Sequence, residues 1–195
     1  MHHILYHYCS STGIIRFSDR FRQRRSGTSH GSALVDLVRP WLPLSGSLLD
    51  IAGGGSSDSL HFARLGLDVT VADVSDVGLI QATQRCLAED LKISTIETDL
   101  ETESIPAGRW DVITVANYLQ RDLFESLVDH LAEDGVIGVV IATETNLERN
   151  ERPSHGFLLD RGELPALIPG VETLHVSESW RDNGRHEAHF VGRRR

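Results

Sequence analysis

The sequence predicts an α/β fold with a doubly wound, mostly parallel sheet and an antiparallel hairpin at its C-terminal end. Two observations carry this prediction. Strand-like apolar segments alternate with helix-like segments between residues 47 and 142, and Asn183-Gly184 separates the last two strand-like segments. Alternating strands and helices form parallel sheets joined by crossover helices, whereas an Asn-Gly pair is typical of a tight hairpin turn.

Each element follows from a local pattern. Strands are expected at 47–51, 68–72, 94–98, 110–116, 136–142, 171–180 and 186–191, and helices at 58–65, 77–91, 122–131 and 164–168. Gly66 ends the first of these helices. The segment 136–142 is nearly all apolar, which indicates a central strand covered on both faces.

Charge divides the chain into two parts. The protein has 195 residues and a formal net charge of −9, but residues 1–43 contain six arginines and two aspartates and are basic. We expect residues 1–27 to be a flexible basic extension. Residues 28–195 are then one domain, with a helix over 29–42 that Ser29 or Ser32 caps and a core over 44–195. The acidic core makes a broad contact with nucleic acid or an anionic membrane unfavourable.

The most informative segment is 48–56, in which the glycine turn, Ala52 to Ser56, directly follows the first predicted strand. Its three consecutive glycines allow a ligand to lie against bare backbone. Asp73 ends the second strand at the spacing expected of a carboxylate that accepts both hydroxyls of a ribose. Asp99 follows the third strand, where it can accept from an adenine amine. Together they predict a cofactor that contains a nucleoside.

The glycine spacing favours a cofactor without phosphate. A dinucleotide fingerprint requires G-x-G-x-x-G, and its third glycine would fall on Asp58. A carboxylate at this position would repel a pyrophosphate. The closing hairpin also argues against a dehydrogenase.

These segments resemble the class I S-adenosylmethionine-dependent methyltransferases, and among them the small tellurite-resistance and thiopurine-type group. The matching segments are 49–55, 68–73, 99–100, 110–113, 134–137 and 187–194. The resemblance implies a Rossmann-like sheet of seven strands whose last strand is antiparallel. The glycine turn departs from the commoner family sequence at Ala52 and Ser56, where glycine is usual.

The resemblance also implies which residues bind S-adenosylmethionine. The methionine portion is expected at Asp50 and the glycine turn, the ribose at Asp73, and the adenine at Asp99 and Leu100. The full set of expected cofactor residues is Asp50, Ala52, Gly53, Gly54, Asp73, Val74, Asp99, Leu100 and Asn117.

Candidate catalytic residues follow the fourth strand and flank the hairpin turn. Tyr118 either covers the cofactor or packs in the core, and Arg181 and His186 either hold an anionic substrate or form a charged hairpin tip. The loop over 144–157 is either a substrate lid or a plain solvated loop. The histidines are too scattered to predict a metal site.

The sequence therefore predicts a cytoplasmic enzyme that transfers a methyl group from S-adenosylmethionine to a small molecule, as a monomer or weak dimer. Asn117 to Arg121 lacks the Asn/Asp-Pro-Pro-aromatic signature of enzymes that methylate amino groups of nucleic acids. Two alternatives stay open: an oxidoreductase that binds a nicotinamide cofactor, and a module that binds S-adenosylmethionine without transferring its methyl group.

Overall fold

The structure is a computed structural model that describes residues 32–195, so the expected basic extension over 1–27 lies outside the described residues. Seven strands form one sheet in the order β3-β2-β1-β4-β5-β7-β6. They are β1 Ser47–Ile51, β2 Asp68–Asp73, β3 Ser94–Glu97, β4 Trp110–Ala116, β5 Leu131–Ala142, β6 Val171–Trp180 and β7 His186–Arg194. Strands β1 to β5 pair in parallel and β7 is antiparallel to both its neighbours, which confirms the predicted fold class.

Within residues 32–195, five α-helices connect or precede the strands. They are α1 Ala33–Val38, α2 Asp58–Arg64, α3 Asp76–Leu87, α4 Leu123–Asp129 and α5 Leu164–Leu167, with 3-10 turns at Arg39–Trp41, Glu144–Glu148 and His155–Phe157. No helix within residues 32–195 has the length and apolar character needed to cross a bilayer.

Helix α1 is shorter than the helix expected over 29–42. The Ser32 hydroxyl accepts a hydrogen bond from the Val35 amide at 3.3 Å and caps the first turn. The α-helix ends at Val38 and continues as a 3-10 turn because Pro40 lacks the amide that an α-helix requires. Ser29, the other expected cap, lies outside the described residues.

The boundary between α4 and β5 also differs from the expected one. The pattern predicts a helix to residue 131 and a strand from 136, but α4 ends at Asp129 and β5 already begins at Leu131. Leu131 pairs with Trp110 of β4, and the register then shifts before Val112 pairs with Val136. Residues 131–135 include Glu133, Asp134 and Gly135, which do not give the pattern of a strand, and here the tertiary pairing decides.

Both faces of the sheet are covered, which explains why β5 is almost entirely apolar. Helices α4 and α5 pack on one face with Ile137, Val139 and Ile141, while α1, α2 and α3 pack on the other with Val136 and Val140. Side chains alternate between the faces along a strand, so each face of β5 meets a separate apolar layer.

Gly138 lets α1 approach β5 closely, which predicts that even a methyl group at this position destabilises the fold. A Cβ at Gly138 would lie 2.1 Å from Cγ1 of Val38, a stiff and fully buried side chain. We expect G138A to lower the free energy of unfolding by about 1–3 kcal/mol in urea denaturation. The control is G156A, since a Cβ at Gly156 meets no atom within 4 Å. Equal stabilities of the two variants would contradict this packing.

Candidate functional site

The candidate site lies at the carboxyl edge of the parallel strands, where β1 stands between β2 and β4. The connections after β1 and β4 leave toward opposite faces of the sheet, so a crevice opens between them, and such crevices bind ligands in doubly wound folds. The glycine turn follows β1, and Asp73 ends β2. Asn117 comes directly after β4, and Asp99 follows β3 by two residues. The topology thus brings the main expected cofactor residues to one edge.

The glycine turn passes close over two carboxylates. A Cβ at Gly53 would lie 2.3 Å from Oδ2 of Asp50, and a Cβ at Gly54 would lie 2.9 Å from Oδ2 of Asp73. Side chains are therefore excluded from the turn at these positions. Ala52 adopts a left-handed conformation with φ of 52°, which costs a residue other than glycine about 1–2 kcal/mol.

Asp50 is a buried carboxyl group, and only one of its two oxygens has a hydrogen-bond partner among residues 32–195. Its Oδ1 accepts a hydrogen bond from the Thr114 hydroxyl at 2.9 Å, whereas its Oδ2 has no hydrogen-bond partner among residues 32–195. Burial raises the pKa of Asp50 to about 8, the negative charges of Asp58 and Asp73 add to the rise, and the Thr114 hydrogen bond opposes it. Such an oxygen fits a proton or a cationic ligand group.

Asp73 is buried but well supplied with backbone donors. Its Oδ1 accepts from the Ser75 amide at 2.8 Å. Burial raises the pKa of Asp73, while the backbone amides of Ser75, Gly54 and Val74 oppose the rise. Val74 is half-buried beside it. The Ser75 hydroxyl in turn accepts from the Gly78 amide at 3.1 Å and caps α3, so the carboxylate and the start of α3 are positioned together.

Asp99 and Leu100 form a short turn after β3. Oδ1 of Asp99 accepts from the Glu101 amide at 3.0 Å, and the backbone oxygen of Asp99 accepts from the amides of Thr102 and Glu103. Asp99 keeps partial exposure at the edge. Leu100 is buried in the core on the α4 side and leaves only 6% of its surface exposed. Little of Leu100 is therefore available for contact with a ring.

Asn117 and Tyr118 face different neighbours. Asn117, with φ of 56°, accepts a hydrogen bond at Oδ1 from Nη1 of Arg185 at 2.6 Å. Tyr118 packs against the core, and its hydroxyl donates to Oε1 of Gln120 at 2.6 Å. Burial, with the negative charges of Glu101 and Asp99 among others, raises the pKa of Tyr118. Tyr118 is therefore a neutral phenol near pH 7 and is poorly suited to act as a base.

His186 belongs to a buried contact between β7 and the loop over 144–157. Its Nδ1 lies 2.7 Å from Oγ1 of Thr143, and its ring meets the Trp180 ring edge-on with centroids 5.2 Å apart. The Arg149 guanidinium lies over the same Trp180 ring at 4.0 Å, and Asn150 donates to the Gly184 carbonyl at 3.0 Å. The loop is thus docked on the hairpin.

Arg181 lies apart from His186. Its Nη2 donates to the Ser177 hydroxyl at 2.8 Å, on the opposite face of the hairpin from the Trp180–His186 pair. The two expected anion-binding residues therefore do not converge on one point. Within residues 32–195, no group of three or more His, Cys, Asp or Glu side chains is arranged to hold a metal ion.

The structure adds a network that the sequence did not suggest. The Glu187 side chain is only 3% exposed, lies 3.5 Å from Nη1 of Arg185 and 3.2 Å from Nε2 of His189, and accepts from Asn183 at 3.3 Å. Burial works to raise the pKa of Glu187, but these neighbours hold it below its usual value. Arg185 is thereby held beside Asn117. The available signal in the sequence was Glu187, the single acidic residue of β7.

Comparisons with known proteins agree with this fold. A family model for a methyltransferase domain matches residues 48–135, somewhat less than half of the chain. No curated protein matches the chain at a significant level.

Several solved structures are similar to this fold. TehB from Haemophilus influenzae is 22% identical with a TM-score of 0.69, and the match covers 93% of this chain and 68% of that chain. A TehB-like S-adenosylmethionine-dependent methyltransferase from Corynebacterium glutamicum is 18% identical, with a TM-score of 0.63 and coverage of 83% and 86%. Magnesium protoporphyrin IX methyltransferase from Synechocystis, solved with bound S-adenosylhomocysteine, is 14% identical, with a TM-score of 0.66 and coverage of 84% and 80%.

These findings confirm the resemblance that the motifs predict. Residues 48–135 match a methyltransferase domain, and residues 32–195 share their fold with solved S-adenosylmethionine-dependent methyltransferases and with TehB, so S-adenosylmethionine is the expected cofactor.

Proposed function

We propose that the protein transfers the methyl group of S-adenosylmethionine to a small-molecule nucleophile and that the cofactor lies over the glycine turn. One observation carries the proposal: the buried carboxyl of Asp50 keeps an unpartnered oxygen directly beneath a turn that excludes side chains. A cation that lies on bare backbone above this oxygen satisfies both features. The residues present therefore fit the expected cofactor.

Each part of the cofactor has a proposed partner. Asp50 and the turn over 52–54 receive the charged methionine portion, and Asp73 with Val74 receives the ribose. Asp99 accepts from the adenine amine, and Asn117 borders the transferred group. When bound, S-adenosylmethionine supplies a methyl group already activated on a sulfonium. What the chain must add is alignment of the nucleophile and exclusion of water.

Arg185 is the proposed contact for the acceptor. The Glu187 carboxylate and the Asn117 amide oxygen hold its guanidinium at the edge that follows β4. A cation in this position suits an anionic or oxyanionic acceptor or a thiolate, none of which requires a base on the protein. The acidic domain and the missing nucleic-acid signature support a small molecule over a polymer.

Removing the charge of Asp73 tests the cofactor placement. We expect D73A to weaken S-adenosylhomocysteine binding at least tenfold in calorimetry, because two charge-assisted hydrogen bonds, each about 1.5–3 kcal/mol, are lost. D73N keeps an oxygen for the Ser75 amide and should still lose most of this affinity. D68N, an exposed change at the other end of β2, is the control. Unchanged affinity of D73A and D73N would contradict the placement.

The raised pKa of Asp50 predicts that cofactor binding releases a proton. Below a pKa of about 8 the free protein holds Asp50 protonated, whereas a bound cation favours the carboxylate. Affinity for S-adenosylmethionine should therefore increase as the pH approaches 8. Calorimetry in buffers of different ionisation enthalpy measures the protons released. D50N is the comparison, because the titration of the ligand amine is common to both proteins, and equal proton release by the two would contradict the prediction.

The same pKa sets a pH dependence of stability without cofactor. The folded protein keeps the proton on Asp50 at pH values where the unfolded chain, with an ordinary pKa near 3.8, has lost it. This contribution to stability is complete below about pH 4 and is lost as the pH rises to about 8. In urea denaturation across this range, D50N should show less loss of stability than the wild type. Parallel pH profiles would contradict the raised pKa.

An acceptor panel tests the reaction itself. We expect labelled S-adenosylmethionine to methylate at least one of a set of thiols, phenols and chalcogen oxyanions above a blank without acceptor. R185M should lower kcat/KM for that acceptor about tenfold or more, because it removes one charge-assisted contact of about 1.5–3 kcal/mol. Its affinity for S-adenosylhomocysteine should fall much less than that of D73A. Methylation of nucleic acid or protein with none of the small molecules would overturn the proposal.

A further inference from the structure

We propose that Arg85 is a positioning residue for the cofactor: from α3, its guanidinium holds the second half of the glycine turn in the shape that receives S-adenosylmethionine. This inference rests on the proposed placement of the cofactor over that turn. Arg85 is remote from the turn in sequence, and nothing in the glycine motif points to it.

Two contacts join α3 to the turn. Nη1 of Arg85 donates hydrogen bonds to the backbone oxygens of Gly55 and of Ser56, the latter at 2.9 Å. At the start of the helix, a Cβ at Gly78 would lie 3.1 Å from the Gly54 Cα and from the Gly55 nitrogen. Close packing at Gly78 brings α3 against the glycine turn, and the hydrogen bonds of the charged Arg85 side chain keep the two in contact.

The carbonyl contacts fix the orientation of two peptide groups. In a trans peptide the C=O and N–H bonds point in opposite directions. Holding the Gly55 and Ser56 oxygens on the α3 side therefore turns the amides of the next residues away from α3. The Ser56 amide accordingly points back into the turn, where it donates to the Gly53 oxygen at 3.0 Å.

The composition of this turn explains why it needs hydrogen bonds from a residue outside the turn, Arg85. Ala52 holds a left-handed conformation, which favours glycine, and Ser56 follows the three glycines with a side chain of its own. Asp50 and Asp73 lie beneath the first half of the turn, at Gly53 and Gly54. Arg85 supports the second half. A charged donor shared between two carbonyls is also stronger than a neutral one.

The test is a titration of S-adenosylhomocysteine into the full chain and its variants by calorimetry. R85M keeps the length of the side chain but removes both hydrogen bonds, and R85K keeps the charge with a single donor group. R109M is the matched control, since Nη1 of Arg109 donates to the carbonyls of Asp129 and Leu131 at the far edge of the sheet. D73N reports on the cofactor site itself. Measurements are made well below the unfolding midpoint of every variant.

We expect R85M to raise the Kd about tenfold, R85K to raise it less, and R109M to leave it unchanged even if its unfolding midpoint falls. Recovery of affinity by lysine separates positioning of the turn from a loss of stability. If D73N weakens binding while R85M does not, the inference on Arg85 is wrong and the cofactor placement stands. If neither variant changes the Kd, both are wrong. Should R85M fail to fold, R85Q, which also removes the charge, takes its place, and an unchanged Kd for R85Q overturns the inference.

Discussion

The close approach of the glycine turn to two carboxylates is the constraint on which the candidate site depends. With only 2.3 Å between a Cβ at Gly53 and Oδ2 of Asp50, the backbone itself closes over the carboxyl group. That closure removes Asp50 from water and raises its pKa to about 8. The same contact therefore explains three features of the site. These are the backbone without a side chain at Gly53, the Oδ2 of Asp50 without a hydrogen-bond partner, and the raised pKa of Asp50.

This constraint extends outward through α3. The Asp73 carboxylate lies beneath Gly54 and also accepts from Ser75, the residue whose hydroxyl caps α3. Helix α3 then returns to the turn through Gly78 and Arg85. The strand end, the helix start and the turn therefore support one another in a closed set of contacts. A change in any one of them displaces backbone that the others hold.

The sequence predicted the parts of the site that depend on local spacing. The glycine turn and Asp73 could be found because the carboxyl ends of parallel strands lie at one edge of the sheet. A residue's position relative to the end of its strand therefore predicts whether it lies at that edge. The two Arg85 contacts and the Arg185–Asn117 contact could not be found in this way, because they join elements 29, 30 and 68 positions apart. Side-chain directions at such distances depend on helix packing and strand register, which local periodicity does not encode. The start of β5 was missed for the same reason, since its pairing with Trp110 is a tertiary contact.

One half of the edge holds carboxyl groups and the other holds a guanidinium, and this division follows the direction of the proposed reaction. Asp50, Asp73 and Asp99 lie on the β1 to β3 side, while Arg185 lies beside Asn117 with Glu187 buried behind it. Under the proposed placement, a cationic donor meets the carboxylates and an electron-rich acceptor meets the guanidinium. Methyl transfer converts the sulfonium into a neutral thioether. With Asp50 placed beside the methionine portion, this loss of positive charge would make the ionised form of the buried carboxyl less favourable and would weaken binding of the product.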